Sequence, residues 1–113
     1  MGSYQAGKRI ENSRSFDNIA LSGEERNNLM LKLTEILRPL RAKLGLSQRE
    51  VAEIIGVARV TYNAIELRQQ KLTWKVFLAL LLFYNSNSYT KKMIKDADVF
   101  PPELERWLNI YRG

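Results

Sequence analysis

Two glycines and the capping sequence between them constrain the fold of this chain more than any other feature. Gly45 and Gly56 enclose Ser47-Gln48-Arg49-Glu50, in which the serine hydroxyl and the glutamate carboxylate can each satisfy a free amide at a helix start. The apolar face that follows consists of Val51, Ala52, Ile54 and Ile55. Because glycine readily adopts the left-handed conformation that ends a helix, this pattern predicts a helix of about two turns with a turn on each side.

Apolar residues at helical spacing also precede this segment. Ser22-Gly23-Glu24-Glu25 is a further capping sequence, and it is followed by an apolar stripe at Leu29, Leu33, Ile36, Leu37, Leu40 and Leu44. Pro39 lies within the stripe and cannot donate a backbone hydrogen bond to Glu35. We therefore expect a kink or a break in this helix near residues 37–38.

The pattern after Gly56 predicts further helices and no strands. They are expected at about residues 59–67, 74–84 and 89–97, and from Pro101 onward. Thr73 is the expected cap of the second of them. The chain is therefore predicted to be all-α, with a flexible arm at residues 1–21, a domain at 22–85 and a helical extension at 86–113 that packs or dimerises.

Composition excludes several classes of function. The chain has no cysteine and no histidine, which removes thiol nucleophiles, disulfides, the usual general base and the commonest zinc ligand. We therefore expect no enzyme, no metal site and no cofactor. The longest apolar run, Val76 to Tyr84, is nine residues, about half of a membrane span, and a soluble cytoplasmic protein is expected.

The charge of the chain favours an anionic partner. There are 18 Lys and Arg residues against 12 Asp and Glu, a net charge of +6. Residues 38–71 alone carry seven basic and three acidic side chains, so the excess is concentrated in the middle third. A basic patch of this kind suits nucleic acid.

Residues 47–67 are predicted to form two short helices joined by a tight turn at Gly56-Val57. This is the arrangement of a helix-turn-helix, in which the second helix enters the major groove of DNA. An ordinary helical hairpin has the same spacing, and spacing alone does not exclude it.

The residues of this segment are more specific than their spacing. Gly45-Leu46-Ser47-Gln48 is followed by Glu50-Val51-Ala52, then by Gly56-Val57, and then by Ala64-Ile65-Glu66. In this combination the chain resembles the Xre, or lambda-repressor-like, family of bacterial and phage transcriptional regulators over about residues 33–84. The resemblance implies a five-helix DNA-binding domain that acts as a homodimer on a palindromic operator, here with an extra C-terminal helical extension.

The chain departs from the family pattern at three positions. Ala58 stands where the family most often has a serine that caps the recognition helix, a loss of about 1 kcal/mol. Arg68 stands where the family usually has the glycine that closes this helix, and Leu72 replaces a proline. The sequence therefore does not predict the conformation of residues 68–72, although no group expected to contact DNA is removed.

The resemblance implies base contacts from the start and outer face of the third helix, by Arg59, Val60, Thr61, Asn63 and Ala64. Only the Arg59 guanidinium can donate two parallel hydrogen bonds to a guanine, and a solvated charge at a helix end is its alternative role. Val60 can contact a thymine methyl group.

Phosphate contacts are expected at the start of the second helix and in the loop after the third, from Ser47, Gln48, Arg68, Lys71 and Thr73. Arg41 and Glu66 occupy two positions that form an ion pair in some relatives. We expect this pair to align the recognition helix, with about 0–1 kcal/mol from it if it is exposed.

These features predict a sequence-specific regulator of double-stranded DNA, most simply a dimeric repressor. The alternative is an antitoxin-like adaptor that binds a protein partner first and DNA second. The cluster Leu80-Leu81-Leu82-Phe83 is expected to serve the core and a dimer interface, and Trp74 and Trp107 to be packing residues.

Overall fold

Five helices whose limits are fully described follow one another in the computed structural model, which describes residues 21–102 and 104–106. They are α1 (Gly23–Leu44), α2 (Gln48–Ile55), α3 (Arg59–Glu66), α4 (Trp74–Ser86) and α5 (Lys91–Ala97). Residues 102 and 104–106 are helical as well, in the segment predicted to be a helix from Pro101 onward. No strand occurs among the described residues, which confirms the all-α prediction. The predictions for residues 1–20 and for Trp107 concern residues outside the described part of the chain.

The predicted caps are present at the starts of three helices. The backbone N–H groups of Glu25, Glu50 and Val76 donate to the side-chain oxygens of Ser22, Ser47 and Thr73. The first two are complete capping boxes, since the glutamate carboxylate accepts in return from the backbone of the serine. Local sequence therefore determines where α1, α2 and α4 begin.

Of the two outcomes expected at Pro39, a kink or a break, the break is wrong, because α1 continues from Gly23 to Leu44. Pro39 and Glu35 are both exposed, so the Glu35 carbonyl that Pro39 leaves without a partner can be hydrated. The opposite face buries Leu33, Leu37 and Leu40. This apolar face keeps the helix together where the proline removes one hydrogen bond.

The core lies within residues 26–100, which form one compact unit. It is built from side chains of all five helices, from Leu72 and from Val99; its fully or nearly fully buried members include Leu33, Leu37, Leu40, Val51, Ala52, Tyr62, Ile65, Phe77, Leu80, Leu81, Tyr84 and Ile94. Ile94 and Val99 follow residue 85, so the packed core continues into the segment predicted as an extension.

Ile54 is wrongly predicted as part of the buried apolar face of α2, since the residue is 52% exposed. Val51, Ala52 and Ile55 form the inward face, and Ile54 lies about 100° around the helix from its centre. The eight residues of α2 contain more apolar side chains than one face can bury.

In the part of the chain that the structure describes, no helix has the length and apolarity needed to cross a membrane.

Candidate nucleic-acid interface

The turn between α2 and α3 is closed by two hydrogen bonds to one carbonyl. The backbone N–H groups of Gly56 and Val57 both donate to the Ala52 carbonyl, at 2.9 and 3.0 Å. Gly56 has φ +79°, the left-handed conformation that the sequence predicts for it. Ala58 then returns to extended backbone, and α3 begins at Arg59. Two short helices and a tight turn are thus in helix-turn-helix order.

The outward side of α3 carries the residues predicted to contact bases. Tyr62 and Ile65 are buried, whereas Arg59 is exposed and the Val60 side chain is 78% exposed. The remaining three are half-buried, namely Thr61, Asn63 and Ala64. Among the described residues Arg59 takes part in no ion pair. Its guanidinium lies at the exposed start of the helix.

The start of α3 lacks the side-chain cap that α2 and α4 have. Ala58 has the extended backbone of an N-cap, and its methyl group accepts no hydrogen bond. The first amides of α3 therefore keep the positive end of the helix dipole open to an anion.

Glu66, the last residue of α3, connects three helices. Arg41 of α1 donates to both of its carboxylate oxygens, from Nε at 2.7 Å and from Nη2 at 2.9 Å. Gln48, at the start of α2, donates from Nε2 to Oε1 at 3.0 Å, and the Arg38 guanidinium lies 3.7 Å from the same oxygen. The carboxylate thus holds both helices of the helix-turn-helix against α1.

The small contribution to stability expected for an exposed ion pair does not apply to Arg41 and Glu66, because the Glu66 side chain is 0% exposed. Burial raises the pKa of Glu66, but hydrogen bonds led by that from Arg41 outweigh it and hold the pKa below its usual range. The same contact raises the pKa of Arg41. Removing either partner leaves a charge in a largely dry position, which is costly.

Two phenols lie in the interior near this pair. Burial raises the pKa of Tyr84 to about 12 and raises that of Tyr62 still further. Both hydroxyls therefore stay neutral at physiological pH, and the charge in this region is confined to Glu66 and its arginine partners.

The residues predicted to contact phosphate lie in two places. Ser47 and Gln48 are at the start of α2, where the Ser47 hydroxyl caps the helix and the Gln48 amide is bound to Glu66. Arg68 and Lys71 are exposed in the loop between α3 and α4, which we call the α3–α4 loop (residues 67–73). Thr73 ends this loop as the cap of α4.

Arg68 has φ +63°, so it takes the left-handed conformation for which glycine is the usual residue. The loop is wrapped around the end of α3, since the N–H groups of Gln69 and Gln70 both donate to the Ala64 carbonyl at 2.9 and 3.2 Å. The departure from the family pattern at this position therefore preserves a left-handed turn.

The contacts of Gln48 and Arg38 with Glu66 were not predicted from the sequence. For Arg38 a signal exists, because it precedes Arg41 by three residues and lies on the same side of α1. The Gln48 contact joins residues 18 positions apart, and no local pattern indicates it.

Comparison with known family models gives a match to part of the chain. The Helix-turn-helix family model matches residues 37–88, which include α2, α3, α4 and the connections between them. No curated protein and no solved structure matches the chain.

Proposed function

We propose, on the premise that residues 37–88 belong to the Xre/lambda-repressor-like helix-turn-helix family, that this chain is a sequence-specific transcriptional repressor. The family match supports a DNA-binding helix-turn-helix regulator. The proposal adds that the chain acts as a homodimer on a palindromic operator in double-stranded DNA. In each half-site, α3 lies in the major groove.

The observation that carries the proposal is the first turn of α3. Arg59 and Val60 are both exposed there, on a helix that Glu66 holds at its opposite end. An arginine at this position can donate two hydrogen bonds to a guanine, and a valine can contact a thymine methyl group. Thr61, Asn63 and Ala64 supply further contacts along the same side.

Phosphate contacts position the domain on the duplex. Arg68 and Lys71 are the cations of the α3–α4 loop, and Thr73 follows them at the start of α4. Ser47 and Gln48 present the positive end of the α2 dipole to a second phosphate. Because Gln48 also binds Glu66, a phosphate held there is held in register with α3.

The outward face of α4 supports the homodimer. Leu82 is 70% exposed on a helix whose neighbouring residues Leu80 and Leu81 are buried. A second copy related by two-fold symmetry would cover this leucine with its own counterpart.

The experiment that tests the proposal is selection from random duplex DNA by the purified chain, analysed by sequencing. The expected product is a two-fold symmetric motif with half-sites about one helical turn apart. No enrichment by folded protein at low salt would contradict the proposal.

An antitoxin-like adaptor is a second candidate, and a depression in the surface favours it. The depression has a volume of about 420 Å³ and is bordered by Leu46, Ile54, Phe83 and Tyr89, of which Ile54 and Tyr89 are exposed. Purification from the native host distinguishes the two, since a stoichiometric protein partner favours the adaptor and a lone dimer favours the repressor.

A further inference from the structure

A cleft opens between one side of α1 and the α3–α4 loop. Its volume is about 360 Å³, which is within the range of small-molecule sites. The α1 residues that border it share one helix face, since Asn27, Leu31 and Thr34 are spaced by four and three positions. The other wall is formed by the consecutive residues 68–72.

The cleft has an apolar interior. Of the residues that line it, Leu72 is buried, Met30 is half-buried and Leu31 is 54% exposed. Three apolar side chains around one small space suit a short hydrocarbon group, because filling the cleft removes them from water.

The polar border of the cleft carries an excess of positive charge. Arg68 and Lys71 lie on one wall and Glu35 on the other, a local sum of +1. Within residues 21–102 neither cation is in an ion pair. A single negative charge on a ligand would balance this border, and the amides of Asn27 and Gln70 can donate hydrogen bonds to it.

The loop wall is held in a strained conformation. Arg68 keeps φ +63° although it has a side chain, and its N–H donates to the Ile65 carbonyl at 3.0 Å. Backbone strain of this kind persists only where surrounding contacts enforce it, and it is concentrated at functional sites. Here it places the guanidinium-bearing residue at the border of the cleft.

We infer that this cleft binds a small organic monoanion, a carboxylate with a short hydrocarbon chain, and that the bound anion competes with DNA for Arg68 and Lys71. The hydrocarbon chain contacts Met30, Leu31 and Leu72, and the carboxylate contacts the two cations. The competition rests on the proposed function, in which Arg68 and Lys71 bind phosphate. The binding of the anion does not depend on it.

The first experiment is an amide NMR titration of the full chain without DNA, with hexanoate as the probe. We expect saturable shifts confined to residues 27–35 and 68–72. Acetate carries the charge without the chain, and hexylammonium carries the chain with the opposite charge, so both should shift these residues far less. Equal shifts with hexylammonium, shifts located elsewhere or no saturation would overturn the inference.

Variants identify the groups that bind hexanoate. Arg68→Gln and Lys71→Gln should each weaken binding about threefold, as expected for an exposed ion pair. The matched control is Arg49→Gln, which removes an exposed cation from α2 outside the cleft and should leave hexanoate affinity unchanged. Leu31→Asn should also weaken it, since it removes apolar contact without changing charge. Unchanged affinity in all three cleft variants would contradict the assignment.

A second measurement tests the competition. Hexanoate at three times its own dissociation constant should weaken the complex with a selected duplex at least about fourfold more than acetate at the same concentration. Equal effects of the two anions would overturn the competition. Failure of the NMR titration overturns the cleft assignment alone, whereas failure to bind any duplex overturns the proposed function and leaves the anion site standing.

Discussion

At the scale of single residues, the proposed recognition of bases depends on Arg59. Arg59→Ala should weaken binding to the selected operator by about 1–3 kcal/mol and relax the preference at one base position in each half-site. The reason is that alanine cannot donate to a guanine, while the fold is unaffected because Arg59 is exposed. Fluorescence anisotropy with the selected duplex and with single-base variants measures both effects.

Lys71→Ala is the comparison for Arg59→Ala, because it removes a charge expected to contact phosphate only. It should weaken binding to the operator and to random duplex alike. If the two substitutions weaken binding to both duplexes equally, Arg59 does not contact bases.

Glu66 is the residue on which the orientation of α3 depends. Glu66→Gln should lower the free energy of unfolding by about 2 kcal/mol at pH 7, since Arg41 loses a buried partner. The pKa of Glu66 is lowered in the folded chain, so this stability is fully present above the usual value of 4.5 and is lost as pH falls through the lowered value. Denaturation by urea at several pH values should show the two chains converging below about pH 4.5.

The control for this substitution is Glu53→Gln. Glu53 is also paired with an arginine, Arg49 at 3.8 Å, but both side chains are exposed. Its loss should change stability by less than about 0.5 kcal/mol at every pH. A pH dependence of similar size in both variants would mean that the buried contacts of Glu66 stabilise the fold no more than an exposed ion pair does.

At the scale of elements, the α3–α4 loop combines strain with charge. Arg68→Gly should raise the free energy of unfolding by about 0.5–1 kcal/mol, because glycine adopts φ +63° without steric cost. DNA affinity should fall at the same time, since a cation is lost. Thermal or urea denaturation gives the first quantity and anisotropy the second.

Gln69→Gly separates the effect of the left-handed backbone from that of glycine itself. Gln69 is not among the residues with positive φ in the described chain, so glycine relieves nothing there and increases the entropy of the unfolded state. This variant should be less stable than the parent. A higher free energy of unfolding in both variants would contradict the inference that the backbone of Arg68 is strained.

The elements themselves could largely be predicted from the sequence, because their limits depend on short-range chemistry. Ser22, Ser47 and Thr73 cap helices where local pattern places them, and Gly56 has the predicted left-handed turn. The errors have a different origin. Whether Ile54 is buried and whether Pro39 interrupts α1 depend on which side of each helix the rest of the core covers.

The candidate site could be predicted only in part, for the same reason. The face of α3 proposed to contact bases follows from the family resemblance, whereas the contacts of Glu66 with Arg38 and Gln48 join residues far apart in the sequence. Likewise, a left-handed arginine at position 68 results from hydrogen bonds to the end of α3, and residue preferences do not predict it.

At the scale of the whole molecule, DNA binding should depend steeply on salt. A protein that neutralises phosphates releases condensed counterions, so the logarithm of affinity falls linearly with the logarithm of salt concentration. Lys71→Ala should reduce the magnitude of this slope by about 1 for each protomer in the complex, hence by about 2 for a dimer. Anisotropy titrations between low and physiological salt measure the slope.

Lys92→Ala is the matched control for the slope. Lys92 is an exposed lysine of α5 whose ammonium lies 3.0 Å from the Asp96 carboxylate, and it is assigned no phosphate. The slope should therefore stay as in the parent. Identical slopes in both variants would mean that Lys71 does not contact the DNA backbone.

The two ends of α3 have separate roles in the proposed function. The contacts that orient the helix are made by Glu66, and the side chains proposed to contact DNA begin seven residues earlier at Arg59. On the proposed function, inherited changes at residues 59–61 would therefore alter the preferred operator while the contacts of Glu66 stay intact. Related proteins with this arrangement would then differ in their DNA sites by few mutations, whereas a change at Glu66 would weaken binding to every site.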